Sequence, residues 1–337
     1  METKIVRLFV MVFVAIAFSA CPKGKTAKTI SVNTTKTTPQ LLTPTFNPDS
    51  AYHYISTQVE FGPRVPNSKA HRLCGDYLIM ELKRFGAQVT IQEADLKAYD
   101  NTIYKSRNII GSYQANKPSR ILLCAHWDTR HVADNEPDKT EKMKPIDGAN
   151  DGASGVGVLL EIARQLNQAE LPFGVDIIFF DAEDQGRPSF LPYDPNSSNT
   201  WCLGSQYWSK NPHKTGYSAE YGILLDMVGA ADAIFPMEGY SMQFAPNIVN
   251  KVWNLASNMN YSNYFVFERS APVTDDHYFV NTIAGIPCID IIHYHPSNYK
   301  GFGDFWHTHN DNMDIISKPT LNAVGSVLLE HLYQQPF

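Results

Sequence analysis

VDIIFFDAEDQG, residues 175–186, begins as an apolar run and ends in acid. Ile177, Ile178, Phe179 and Phe180 have the continuous hydrophobicity of a strand covered on both faces, as strands of parallel sheets are. Asp181, Glu183 and Asp184 follow at once. Three carboxylates crowded at the end of a core strand repel one another and are costly to desolvate. The stretch poses two questions: what covers the strand, and what offsets the acids.

Similar runs recur in RILLCAHWD (120–128), YGILLDMVG (221–229) and IPCIDIIHY (286–294). Between and around them lie segments of helical period: AHRLCGDYLIMELKRFG (70–86), ASGVGVLLEIARQL (153–166), APNIVNKVWNLASNMN (245–260) and LNAVGSVLLEHLYQ (321–334). VTIQEA (89–94) alternates as a half-buried strand. The expectation is a single α/β domain with a central mixed, mostly parallel sheet flanked by helices. It spans residues 48–337, and no linker divides it. Two polar insertions, 129–147 and 187–200, follow strand ends, where loops border a site or close over one.

The N-terminus reads differently. Lys4 and Arg7 precede the apolar run LFVMVFVAIAF, and small residues lead to Cys21. This is the pattern of a secretory signal over residues 1–21. Cys21 resembles the lipidated Cys of a bacterial lipoprotein, although Phe18 stands where Leu is usual. Residues 22–47 are rich in Thr, Lys, Pro and Ser and read as a flexible tether. The expected location is the bacterial periplasm or cell envelope. Membrane association would come only through the lipid on Cys21.

Of 337 residues, 43% are hydrophobic, enough for one large core. The net charge of −6 offers no basic surface of the kind nucleic acid requires. Cys74, Cys124, Cys202 and Cys288 form no CxxC pair, and their spacing does not decide whether they form disulfides.

The polar residues gather at strand ends. His126 and Asp128 end one strand, Glu183 and Asp184 another, and Asp226 a third. Asp151 lies in the Gly-rich turn GANDGASG, and His307 in FWHTHND after the last strand. Ligands of open α/β sheets bind beyond the carboxyl ends of the strands, and a divalent cation would offset the crowded acids. An N/O donor set without paired thiolates suits a catalytic zinc better than a structural one.

HWD at 126–128, GANDGASG at 148–155, AED at 182–184, LLDMVG at 224–229 and WHT at 306–308 resemble the zinc aminopeptidase superfamily. Within it the chain is most similar to the glutaminyl cyclases, which convert the N-terminal Gln of peptides and proteins to pyroglutamate and release ammonia. The resemblance implies one Zn2+ held by Asp151, Asp184 and His307, with Glu183 carrying the proton. It implies that Asp226 and Asp275 hydrogen-bond around the leaving nitrogen, and that His126 and Asp128 orient their neighbours. Two features favour the cyclases over the peptidases. Asp275 stands in VTDDHYF where aminopeptidases commonly carry Ser, and Trp306 stands where they commonly carry Tyr. Trp306, with Trp201 as a second aromatic, is expected to wall a narrow slot for the substrate amide.

The main alternative is a secreted aminopeptidase with two zincs, since His126 and Asp226 are also competent ligands. A remoter one is a non-catalytic lipoprotein that keeps the peptidase fold as a binding module. The natural substrates and the oligomeric state are not written in the sequence, and Asp181 receives no role from it.

Overall fold

The computed structural model describes residues 42–335, apart from 169, 193, 196, 296, 297, 299 and 300. The expected signal segment, Cys21 and the tether as far as residue 41 lie outside the described residues. Among the described residues no helix is long and apolar enough to cross a membrane.

Six strands form the central sheet: β1 (Gln88–Lys97), β2 (Ile103–Tyr113), β3 (Arg120–His126), β4 (Gly174–Phe180), β5 (Tyr221–Asp226) and the later Cys288–Ile292. Between β5 and that last strand, β6 (Phe235–Met237) and β7 (Phe265–Arg269) pair as a small parallel ribbon, which makes Cys288–Ile292 β8. The sheet order is β1-β2-β4-β3-β5-β8. β3, β4, β5 and β8 run parallel, while β2 is antiparallel to both β1 and β4. The sheet is therefore mixed and mostly parallel, with its four parallel strands fully buried.

Side-chain alternation explains the two covering layers. Leu123, Ile177, Phe179, Ile223 and Leu225 face a core shared with helices α1 (Pro48–Glu60), α2 (Lys69–Arg84), α3 (Ala153–Leu166) and, at the C-terminus, α8 (Lys318–Tyr333). Leu122, Cys124, Ile178, Phe180 and Leu224 face the opposite core around Trp208 of α4 (Leu203–Lys210). α3 lies so close to the sheet that a Cβ on Gly155 would sit 2.3 Å from the Leu225 carbonyl oxygen, so only glycine fits there. The remaining helices are α5 (Gly239–Phe244), α6 (Pro246–Asn258) and α7 (Asp276–Phe279).

α1 is capped by the Asn47 side chain, which accepts from the Ser50 amide. Phe46 is already buried just ahead of it. Cys74, Cys124, Cys202 and Cys288 are buried free thiols.

Candidate metal centre and active site

The parallel strands deliver their last residues to one edge, where the backbone turns sharply. Ala182 after β4, Met227 after β5, and His307 all have positive φ, at 54°, 48° and 54°. Cys202, which opens α4, shares this conformation at 54°.

Asp151 stands between two groups of donors. One carboxylate oxygen is 3.0 Å from His126 Nε2, and the other is 3.6 Å from His307 Nε2. Asp184 Oδ1 lies 3.2 Å from His307 Nε2, and Asp226 Oδ1 lies 3.3 Å from His126 Nε2. Asp151, Asp184 and His307 thus form one buried cluster of metal-ligating type, and His126, Asp151 and Asp226 form another that shares Asp151.

The first cluster fits a zinc ion on its own chemistry. Both Asp184 carboxylate oxygens are buried and accept no hydrogen bond; the Arg130 guanidinium, 3.5 Å from Oδ1, offsets part of this cost, and a metal ion would offset the rest. Burial, with Asp151 next to it, holds the Asp184 carboxyl well above the usual carboxylate range. Burial, reinforced by the Arg130 guanidinium, pushes His307 down to about 3, leaving the neutral imidazole that metals bind.

Neighbouring groups hold these side chains in place. Asp128 accepts from the amides of Glu183 (3.0 Å) and Asp184 (3.2 Å) and from Gln185 Nε2 (2.9 Å), fixing the turn after β4. Asp311 accepts from the amides of Asn150 (2.7 Å) and Asp151 (3.0 Å). Asn150 in turn accepts from the Gly229 amide at 2.7 Å, which ties the Asp151 turn to the end of β5. Arg64, fully buried, donates to the carbonyls of Asp147 and Gly148 beneath the same turn.

The insertion at 129–147 borders the site. Asn135 donates its amide to the His307 carbonyl and its side chain to the Trp306 carbonyl, both at 3.0 Å. The ends of the 187–200 insertion are joined where the Arg187 amide donates to Thr200 Oγ1 at 3.0 Å.

Asp181, unassigned from the sequence, is fully buried and serves the frame of the site. It accepts from His71 Nε2 (2.9 Å) and from the amides of Arg107 (2.6 Å) and Ala182 (2.8 Å). Asp181 therefore joins α2 and β2 to the end of β4.

A cavity of about 300 Å³ opens over the cluster. Glu183, Asp226 and Asp275 line its polar side, and Trp201, Trp306 and Phe302 its aromatic wall. The Trp201 ring lies parallel to the His307 ring, 6° apart in plane and 6.0 Å between centroids. Trp306 packs on His307 at 3.9 Å, and the Arg130 guanidinium sits 4.4 Å from the Trp201 ring. Asp151, Glu183, Asp184, Trp201, Asp226, Asp275, Trp306 and His307 thus all line this one cavity, while His126 and Asp128 lie behind it against these acids.

The acids of the cavity are held in opposite directions: against its burial, His126 and His307 hold Asp151 below the usual carboxylate range, whereas Glu183 and Asp226 are raised. Burial, with Asp275 and Asp184 close by, holds Glu183 well above the usual range. Burial pushes Asp226 up to about 7 despite its contact with His126. Against its own burial, His126 is raised by contacts with Asp128, Asp151 and Asp226.

Glu238 braces the wall that carries Asp275. It accepts from the amides of Tyr240 (2.9 Å), Ser241 (2.6 Å) and Val273 (2.8 Å), and lies 3.1 Å from His277 Nε2. Cys202 Sγ donates to Glu183 Oε1 at 3.1 Å. None of Asp311, Asn135, Glu238 or Cys202 was found by sequence reasoning. The acid four residues after His307 was the available signal for Asp311.

A model of peptidase family M28 matches residues 108–332. The chain belongs to peptidase family M28. Within that family it is similar to the glutaminyl-peptide cyclotransferase of Gloydius blomhoffii, 27% identical over 299 residues that cover 79% of this chain and 75% of that protein. It is also similar to the solved glutaminyl cyclase of Bacteroides thetaiotaomicron bound to N-acetylhistamine, at 55% identity and a TM-score of 0.85, covering 88% of this chain and all of that one. A leucine aminopeptidase precursor from Bacteroides thetaiotaomicron superposes equally well, at 54% identity, TM-score 0.85 and the same coverage.

Proposed function

We propose that this M28 chain is a glutaminyl-peptide cyclotransferase, an enzyme that converts the N-terminal Gln of peptides and proteins to pyroglutamate and ammonia. The observation that carries the reading is Asp275, buried and facing the same cavity as Glu183, Trp201 and Trp306. A third carboxylate beside the proton carrier suits a leaving primary amide nitrogen, which carries two N–H donors where a peptide nitrogen carries one.

Asp151, Asp184 and His307 would hold the zinc, one per chain. When bound, zinc supplies Lewis-acid polarisation of the substrate γ-carbonyl. Trp306 and Trp201 confine the flat amide side chain and exclude water, so the α-amine meets the γ-carbon in a near-attack geometry. Glu183 accepts a proton from the attacking amine and returns one to the departing ammonia. Burial raises its carboxyl above the usual range, the direction that makes a carboxylate a stronger base. Asp226 and Asp275 accept hydrogen bonds from the amide nitrogen as it leaves. His126 and Asp128 orient the acids around them.

A Gln-initiated peptide should release ammonia with the zinc-loaded chain, and a Leu-initiated peptide should release no free leucine. The opposite pattern would refute the reading. The second ligand cluster, His126–Asp151–Asp226, favours the aminopeptidase reading, which requires about two zincs per chain. Metal analysis at full occupancy separates the two.

Export of the chain and its anchoring through a lipid on Cys21, with a tether over residues 22–47 and the catalytic domain from residue 48, complete the proposal. They rest on the pattern of the N-terminal sequence.

A further inference from the structure

Glu183, Cys202 and Asp275 form a third group whose potential ligand atoms all lie within 4.8 Å of one another. We propose that these three residues are a second cation site, selective for a thiophilic divalent ion, whose occupation blocks catalysis. The site is distinct from the two clusters around Asp151, with which it shares no residue.

Its donor set is one sulfur and two carboxylates, and sulfur favours soft or borderline ions over magnesium and calcium. The Cys202 thiol is fixed in direction. Its amide donates to the Glu183 carbonyl at 2.8 Å, its φ is 54°, and its Sγ meets Glu183 Oε1 at 3.1 Å. A sulfur and an oxygen bound to one tetrahedral zinc stand roughly 3.6 Å apart, so a small widening admits the ion. Asp275 supplies the independent sign of a missing partner. It is only 3% exposed, its Oδ2 has no hydrogen-bond donor, and the neighbouring Asp290 carboxyl can satisfy it only by carrying a proton. Glu183 and Asp275 line the cavity, which gives the ion a path inward.

Without a cation the thiol is inert. Burial, with Glu183 and Asp276 near it, holds Cys202 well above the ordinary thiol range, so it is not a nucleophile. A divalent cation adds positive charge beside Glu183, Asp275 and Asp276, the acids nearest the thiol. On binding, the S–H proton passes to solvent, and the ion takes its place between sulfur and carboxylate. Glu183 is then a ligand and no longer free to carry a proton. The blocking half of the proposal rests on the reading of Glu183 as the proton carrier, whereas the binding half does not.

The test is titration of the zinc-loaded full chain with Cd2+, following thiolate-to-cadmium ultraviolet absorbance and cyclisation rate together. The expected result is an absorbance that saturates at one equivalent while the rate falls. Cys202→Ala and Cys202→Ser should both lose the absorbance. Their inhibition constants, each taken against the variant's own cadmium-free rate, should rise about 10-fold or more. Cys202→Ser keeps a donor toward Glu183, so it guards against a simple packing effect. An absorbance that persists in Cys202→Ala, or equal inhibition of wild type and that variant, would overturn the site. A Cys202-dependent absorbance with an unchanged rate would overturn the blocking half alone and place the fault in the proton-carrier reading.

Discussion

Asp311 receives the backbone amide of Asp151 on one oxygen, at 3.0 Å, and that of Asn150 on the other, at 2.7 Å. Asp311 lies four positions after His307, so one loop both carries a candidate metal ligand and grips the turn that carries another. Asp311→Asn would set an amide NH2 against a backbone N–H and leave a buried donor unsatisfied. Zinc affinity measured by chelator competition should fall by about 10- to 100-fold, the usual effect of losing a partner that orients a ligand.

Glu183→Gln keeps the shape of the side chain and removes its capacity to carry a proton. Zinc content and KM for a Gln-initiated peptide should hold, while kcat falls by about 10²- to 10⁴-fold. Retained turnover would remove Glu183 from the mechanism.

Asp275→Ser moves the wall of the cavity toward the aminopeptidase pattern. Cyclisation, followed as ammonia release, should drop at least about 10-fold, since charge-assisted hydrogen bonds to the leaving nitrogen are lost. An undiminished rate would show that this carboxylate serves structure alone.

Glu238 offers a test by pH. Although burial alone would raise it, His277 and the amides of Ser241 and Val273 hold its carboxyl down to about 2, against 4.5 for a free glutamate. A carboxyl depressed in the folded state stabilises it above the unfolded pKa, and that stability is lost as pH falls through the folded value. Glu238→Gln should therefore destabilise the chain by about 3 kcal/mol at pH 7. The gap to wild type should narrow between pH 4.5 and about 2. Denaturant unfolding across that range measures it, and a gap that does not vary with pH would contradict the assignment.

The strands most legible in the sequence were β3, β4, β5 and β8, because burial on both faces leaves an unbroken apolar run. β2 was not seen. Lys105, Ser106, Arg107 and Asn108 interrupt its pattern, and its first half alternates between exposed and buried positions. α1 was also missed, its buried face being made of Ala51, Tyr54, Ile55 and Gln58 rather than of aliphatic residues alone.

The candidate ligands were readable, since His and Asp at successive strand ends are conspicuous. Most of their supports were not. Asp181, Asp311 and Glu238 act on backbone amides, and nothing in a sequence marks which amide a carboxylate will meet; Asp128 alone of these supports was expected to orient its neighbours. Cys202 reaches Glu183 only because the 187–200 insertion returns the chain to the end of β4.

Eight non-glycine residues among those described have left-handed backbones. Asn67, Asn101, Gln114 and Asn260 have side chains common in turns, whereas Ala182, Cys202, Met227 and His307 cluster around the site. Each of the latter is held roughly 1 kcal/mol or more above its local minimum. The rim of the site is thus not what its own residues prefer, and it keeps its shape only while the surrounding hydrogen bonds hold. A change in a supporting hydrogen bond therefore reaches the site through the backbone, without touching a ligand or an acid.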